Sequence, residues 1–314
     1  MIIVVVYWKG EKLMTVEAEI AELKKRHGAL ILAHNYTRPE VQDLADFVGD
    51  SLELSRKAAE CRAPVIVFCG VRFMAETAKI LSPGSIVLHP NPYAGCPMAD
   101  MASPEAVAEY RAKHPDTLVV AYVNTTAATK TEVDICCTSG NAEKLIAGLP
   151  ADRKILFLPD ANLGANLNDK LGRKMALWPG CCPTHNKILP EHILAAKEKH
   201  PGAPVLVHPE CTPAVVALAD QALSTGGMLK FVRGSEQKEF IIGTECGILY
   251  RMRKENPGKE FYPLEPAVLC PNMEKITPED VLFSLRDLAP RIELDEAMRK
   301  RAKAPIDRML EVLP

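Results

Sequence analysis

The chain has 314 residues, 47% of them hydrophobic and 25% charged, close to the averages of globular proteins and unlike disordered or fibrous chains. Its 38 basic and 40 acidic side chains leave a net charge of −2, and only 5% of residues are aromatic. That balance offers no basic surface for nucleic acid or an anionic membrane, and no base-stacking platform.

The first eight residues, Met1-Ile-Ile-Val-Val-Val-Tyr-Trp8, are apolar but far short of the ~20 that cross a bilayer. No basic segment precedes them and no small-residue cleavage site follows. They read as an extra strand or a disordered extension, and the protein as soluble and cytoplasmic. Apolar runs then alternate with amphipathic stretches. Helices are expected over 15–27, 51–61, 103–114, 141–148, 189–200 and 277–288, and strands over 30–34, 65–69, 85–89, 118–124, 155–159, 175–178, 205–208 and 240–243. Ser103-Pro104-Glu105 and Thr277-Pro278-Glu279 each combine an N-cap, a proline in the first helical position and an early acid. Gly28 stands where a C-cap belongs. Alternating β and α segments predict an α/β protein with parallel sheets.

The pattern repeats. His34, Tyr122 and His208 fall in one register, 88 and then 86 residues apart. Seventeen residues after each comes a small hydroxyl residue, Ser51, Ser139 and Thr225, and a Cys-Pro pair follows, at Cys96, Cys182 and Cys270. The hydroxyl-to-cysteine distances are 45, 43 and 45 residues. Three landmarks held through three copies predict three αβα units, over 1–102 with the N-terminal extension, 103–188 and 189–276. Helices in 277–314 are expected to pack on the first unit. Pseudo-threefold symmetry would bring each trio to one axis, at the strand ends where open α/β sheets bind ligands.

Taken singly, these residues have plainer readings. A lone His34 or His208 is more often a satisfied strand-end histidine, and a lone Ser51, Ser139 or Thr225 a helix cap. The matched register is what weighs against that. Ten cysteines are many for a reducing compartment, and none is paired in C-x-x-C spacing. The repeat selects Cys96, Cys182 and Cys270. It assigns Cys61, Cys69, Cys136, Cys137, Cys181, Cys211 and Cys246 to packing, with Cys182 preferred over its neighbour Cys181 on register. Three converging thiolates fit a [4Fe–4S] cluster with one open iron, a Cys₃His zinc site with His185 as the fourth ligand, or no metal at all. Residue chemistry alone leaves all three open.

The motifs Ala33-His34-Asn35-Tyr36, Gly49-Asp50-Ser51-Leu52, Met74-Ala-Glu76-Thr-Ala-Lys79, Tyr122-Val-Asn124-Thr, Pro159-Asp160-Ala-Asn-Leu-Gly164, Trp178-x-Gly180-x-Cys182-x-x-His185, His208-Pro-Glu210-Cys and Thr244-Glu245 together resemble the quinolinate synthase family over about residues 30–277. The resemblance implies three αβα domains in pseudo-threefold arrangement and a [4Fe–4S] cluster on Cys96, Cys182 and Cys270. It implies condensation of iminoaspartate with dihydroxyacetone phosphate to quinolinate, phosphate and water in NAD synthesis, with a functional link to an L-aspartate oxidase or dehydrogenase. It places substrate binding on His34, Ser51, Tyr122, Asn124, Ser139, His208, Glu210 and Thr225. Tyr122, Glu210, His34 and His208 are the candidates for proton transfer. Two positions depart from the family pattern: Glu274, where a lysine is expected after the methionine, and Cys246. Other readings are a zinc or iron–sulfur hydro-lyase of different substrate and a non-catalytic metal–thiolate sensor.

Overall fold

Thr15 and Gly28 bound the first long helix as expected. In the computed structural model, which describes residues 6–9 and 12–312, the Thr15 hydroxyl accepts the Ala18 N–H and Gly28 closes the helix at φ 57°, a left-handed conformation that costs glycine little. Before it lies an antiparallel hairpin, β1 (Val6–Lys9) and β2 (Lys12–Thr15).

Three passes through one pattern follow. The first runs α1 (Val16–His27), β3 (Ala29–His34), α2 (Pro39–Leu44), β4 (Phe47–Gly49), α3 (Ser51–Glu60), β5 (Val65–Cys69), α4 (Arg72–Leu81), β6 (Ile86–Leu88) and α5 (Pro97–Asp100). The second runs α6 (Pro104–Lys113), β7 (Leu118–Tyr122), α7 (Ala127–Lys130), β8 (Ile135–Cys137), α8 (Ala142–Ala147), β9 (Ile155–Leu158), α9 (Ala161–Leu171) and β10 (Ala176–Leu177). The third runs α10 (Pro190–Lys199), β11 (Val205–Val207), α11 (Pro213–Val216), β12 (Gln221–Ala222), α12 (Thr225–Gly234), β13 (Glu239–Gly243), α13 (Ile248–Glu255) and β14 (Glu260–Pro263). The chain ends in α14 (Pro278–Asp287) and α15 (Glu296–Glu311).

Each pass builds one four-stranded parallel sheet, in the orders β4-β3-β5-β6, β8-β7-β9-β10 and β12-β11-β13-β14. The α/β class and threefold repetition read from the sequence are borne out. The edge strands β4, β8, β12 and β14 were not anticipated. Three of them are two or three residues long, too short to show a period. What anchors β4, β8 and β12 is an aspartate latch. Asp46, Asp134 and Asp220, 15 residues after their partners, accept the N–H groups of Ile31, Val119 and Val205 at 2.8, 2.8 and 2.7 Å.

The central strands are buried on both faces, all five residues of β5 among them, as parallel sheets with helical cover require. Full burial of one such valine or isoleucine is worth about 1.5–3 kcal/mol. Helix α14 packs on α1, β5 and α2, whereas α15 lies against β8, α7 and α4. No helix among the described residues is long and apolar enough to cross a membrane.

The sheets are braced in a cycle. From the first sheet's α4, Glu76 accepts the Ala127 N–H of the second at 2.9 Å. From the second's α9, Asn162 and Asn166 hold carbonyls of the 209–211 loop in the third. From the third's α13, Arg251 holds the Asn35 amide oxygen and the Val48 carbonyl of the first at 2.9 and 2.6 Å.

Candidate active site

Strands β3, β7 and β11 deliver His34, Tyr122 and His208 to the rim of one cavity with about 970 Å³ of empty space, including its opening to solvent. All eleven side chains singled out from the sequence line it: the three cysteines, the three hydroxyl residues, His34, Tyr122, His208, Asn124 and Glu210. Cys182 lines the cavity and Cys181 does not.

The hydroxyl residues are not the caps they would ordinarily be. The preceding residue caps instead: Asp50 accepts the Leu52 and Glu53 N–H groups, and Ser224 accepts that of Gly227. Ser51 and Thr225 thus occupy the first position of α3 and α12, at helix ends that favour anions. The Asn35 amide donates to Thr225 Oγ1 at 3.1 Å, and Ser139 Oγ lies 3.2 Å from His208 Nε2.

Burial holds His34 and His208 neutral. It lowers His34 to about 4 and His208 to about 3, against a raising influence from the Glu210 carboxylate. Their tautomers follow from the backbone. His34 Nδ1 accepts the Tyr36 N–H at 3.2 Å, and His208 Nδ1 accepts the Glu210 N–H at 3.3 Å. In a neutral imidazole the other nitrogen carries the proton. Each histidine therefore presents an Nε2–H donor.

Five side chains form one continuous chain. Tyr36 OH lies 2.5 Å from Thr244 Oγ1, and Thr244 Oγ1 lies 2.8 Å from His185 Nε2. His185 Nδ1 is 2.8 Å from Glu210 Oε2, and Tyr122 OH donates to Glu210 Oε1 at 2.5 Å. Every link joins residues that follow strands of different sheets. Burial alone would raise the Glu210 carboxyl. The hydrogen bonds from His185 and Tyr122 outweigh it and hold the group below the usual carboxylate range. Both phenols are pushed well above their ordinary range, first by burial. Such a chain can pass a proton between an ionised carboxylate and a neutral phenol without exposing either to bulk water. Nearby, burial raises Glu245 to about 8 even though it accepts the Gly247 and Cys270 N–H groups.

The cysteines are free thiols. Burial comes first in raising all three, Cys96 to about 12, and a neighbouring carboxylate pushes the same way, that of Glu210 on Cys96 and Cys182 and that of Glu245 on Cys270. A bound cation would displace their protons. Among the described residues, single ligand atoms of Cys182, His185 and Glu210 lie within 4.8 Å of one another. The site thus has the donor chemistry of a metal centre.

Sequence reasoning weighed His185 only as a fourth zinc ligand and did not select Tyr36 or Thr244. Tyr36 was within reach, because it holds the threefold position of Asn124 and Glu210, two residues past His34, Tyr122 and His208. His185 has no such signal; its counterparts three residues after the other cysteines are Ala99 and Met273. Glu274, the departure noted near Cys270, lies with its carboxylate 3.6 Å from Arg38.

Residues 18–311 match the family described as NadA, quinolinate synthetase A protein. The chain is 56% identical over 293 residues to a quinolinate synthase of Desulforudis audaxviator, covering 93% of this chain and 97% of that one. It is 52% identical over 295 residues to one of Dehalococcoides mccartyi, covering 94% and 97%, and 52% identical over 298 residues to one of Pelobacter propionicus, covering 95% and 98%. With its threefold α/β architecture and its cavity of thiols, hydroxyls and imidazoles, the chain belongs to the quinolinate synthetase A family of enzymes.

Proposed function

We propose that this chain is a quinolinate synthase that condenses iminoaspartate with dihydroxyacetone phosphate, releasing phosphate and two waters, within NAD biosynthesis. The observation that carries this reading is the hydrogen-bonded chain from Tyr36 to Tyr122, set in a cavity ringed by neutral donors. Both substrates are dianions. The Nε2–H groups of His34 and His208, the hydroxyls of Ser51, Ser139 and Thr225, and the Asn124 amide supply donors without adding charge. Glu210 takes a proton beside the carbonyl or imine, and the Tyr122 phenol, bonded to Glu210, returns one to the departing oxygen. Iminoaspartate is unstable in water, so a buried site protects it. An L-aspartate oxidase or dehydrogenase would supply it.

Cys96, Cys182 and Cys270 would hold a [4Fe–4S] cluster. When bound, it supplies a Lewis-acidic iron that carries no cysteine. Three thiolates leave one iron of a cubane without a cysteine, whereas the group whose single ligand atoms lie within 4.8 Å of one another among the described residues is Cys182, His185 and Glu210. The latter set favours one second reading, a mononuclear zinc hydro-lyase. Anaerobic purification separates the two. A brown protein with about four irons and four sulfides per chain, forming quinolinate from both substrates and losing that activity in Cys182→Ser, supports the first. A colourless zinc protein that forms no quinolinate supports the second.

A further inference from the structure

Three nitrogens do the same work in the three sheets. Gln42 Nε2 donates to the carbonyls of Asn35 at 3.2 Å and Thr37 at 2.8 Å, which flank Tyr36. Lys130 Nζ donates to the carbonyls of Val123 at 2.7 Å and Thr125 at 2.5 Å, which flank Asn124. Asn166 Nδ2 donates to the carbonyls of Pro209 and Cys211, both at 2.9 Å, which flank Glu210. Tyr36, Asn124 and Glu210 are threefold equivalents and all line the cavity. Because every partner is a carbonyl, only the NH₂ end of each amide fits.

The chemistry of the clamp varies while its geometry repeats. Gln42 and Lys130 each come six residues after the side chain they bracket. The third residue at that register is Val216, which cannot donate, and Asn166 reaches across from α9 instead. Lys130 is fully buried and makes no carboxylate ion pair within salt-bridge distance among the described residues. Its nitrogen goes to the two carbonyls and Thr125 Oγ1, over the face of Phe73. Burying a lone ammonium is costly, so its retention calls for a function beyond packing. Asn124, the residue between the clamped carbonyls, has an Oδ1 that is buried without a partner among the described residues.

We infer that Gln42, Lys130 and Asn166 are positioning residues. Each ties down the peptides on both sides of Tyr36, Asn124 or Glu210, so that the bracketed side chain meets the substrate in one orientation. The inference deepens the quinolinate synthase reading and rests on it for its kinetic test.

The experiment uses the anaerobically purified holoenzyme, with steady-state kinetics, thermal melts and amide hydrogen exchange. Asn166→Ala, at a half-buried helix position, should lower kcat about tenfold with KM within about twofold, because Glu210 loses its aim and binding donors remain. Lys130→Met should raise KM about tenfold, and Lys130→Gln should bring it back to within about threefold of wild type, since a glutamine amide already does this work at the equivalent position. Exchange should quicken at 209–211 in Asn166→Ala and at 123–125 in Lys130→Met. Wild-type kcat in Asn166→Ala overturns the inference, as does a Lys130→Gln variant as impaired as Lys130→Met, which would make the charge the essential property. If Lys130→Met does not fold, Asn166→Ala decides. A wild-type enzyme that makes no quinolinate defeats the functional reading instead. The exchange rates then judge the clamps alone, and unchanged protection in both loops overturns them.

Discussion

Glu210 touches Tyr122, His185 and the Cys182 side chain, so charge and shape must be separated to learn its role. Glu210→Gln keeps the shape and removes the proton acceptor. Its kcat is expected to fall by about 10²–10⁴, read in the quinolinate assay with iron content unchanged; undiminished turnover removes Glu210 from the chemistry. Asp50 offers a pH test. Burial, reinforced by the Glu53 charge, raises its carboxyl to about 6 from an ordinary 3.8. The folded chain therefore keeps this proton to a higher pH than the unfolded chain, and raising pH through that window favours unfolding, by roughly 2–3 kcal/mol in all. Asp50→Asn lacks the titration, so its melting temperature should fall less than that of wild type between about pH 4 and 6. Equal slopes in calorimetry would clear Asp50 of this role. At this scale the repeat made His34, Tyr122 and the cysteines legible, and the family resemblance added Asn124 and Glu210. The part that His185 and Thr244 play was not, because each joins two links of an asymmetric chain and leaves no echo in the other copies.

Helix starts show how elements are specified and where one falls short. Ser103 and Thr277 cap α6 and α14 through their hydroxyls, receiving the Ala106 and Asp280 N–H groups. At the equivalent start of α10 stands Leu189, exposed and unable to accept. Leu189→Thr should stabilise the protein by about 0.5–1 kcal/mol, visible as a higher urea midpoint at unchanged slope. Gly180 works in the opposite sense. A Cβ there would lie 2.5 Å from the Pro159 carbonyl oxygen, and Ala161 donates to the Gly180 carbonyl at 2.7 Å. Gly180→Ala must push this segment away, two residues before Cys182, and is expected to lower both melting temperature and bound metal. Long central strands and the edge strands β6 and β10 were readable from their apolar runs, but β4, β8 and β12 were not. Their positions depend on Asp46, Asp134 and Asp220, whose contacts 15 residues back have no local pattern.

Across the whole molecule, the three sheets share a single cavity, so their cysteines should answer together. Cys96→Ser, Cys182→Ser and Cys270→Ser are each expected to abolish nearly all bound iron; retention of about two-thirds would indicate separate sites. Threefold spacing in the sequence announced that sharing. It did not announce the cyclic bracing through Glu76, Asn162, Asn166 and Arg251, because those contacts join residues tens to hundreds of positions apart.

The chain from Tyr36 to Tyr122 changes sheet at every step. No third of the polypeptide holds even one of its hydrogen bonds by itself. Swinging any sheet outward to widen the mouth would sever these links before it gave a ligand much room. Loading the pocket by such a swing and running the reaction would then be alternating states of one machine, which is assembled only while it is shut.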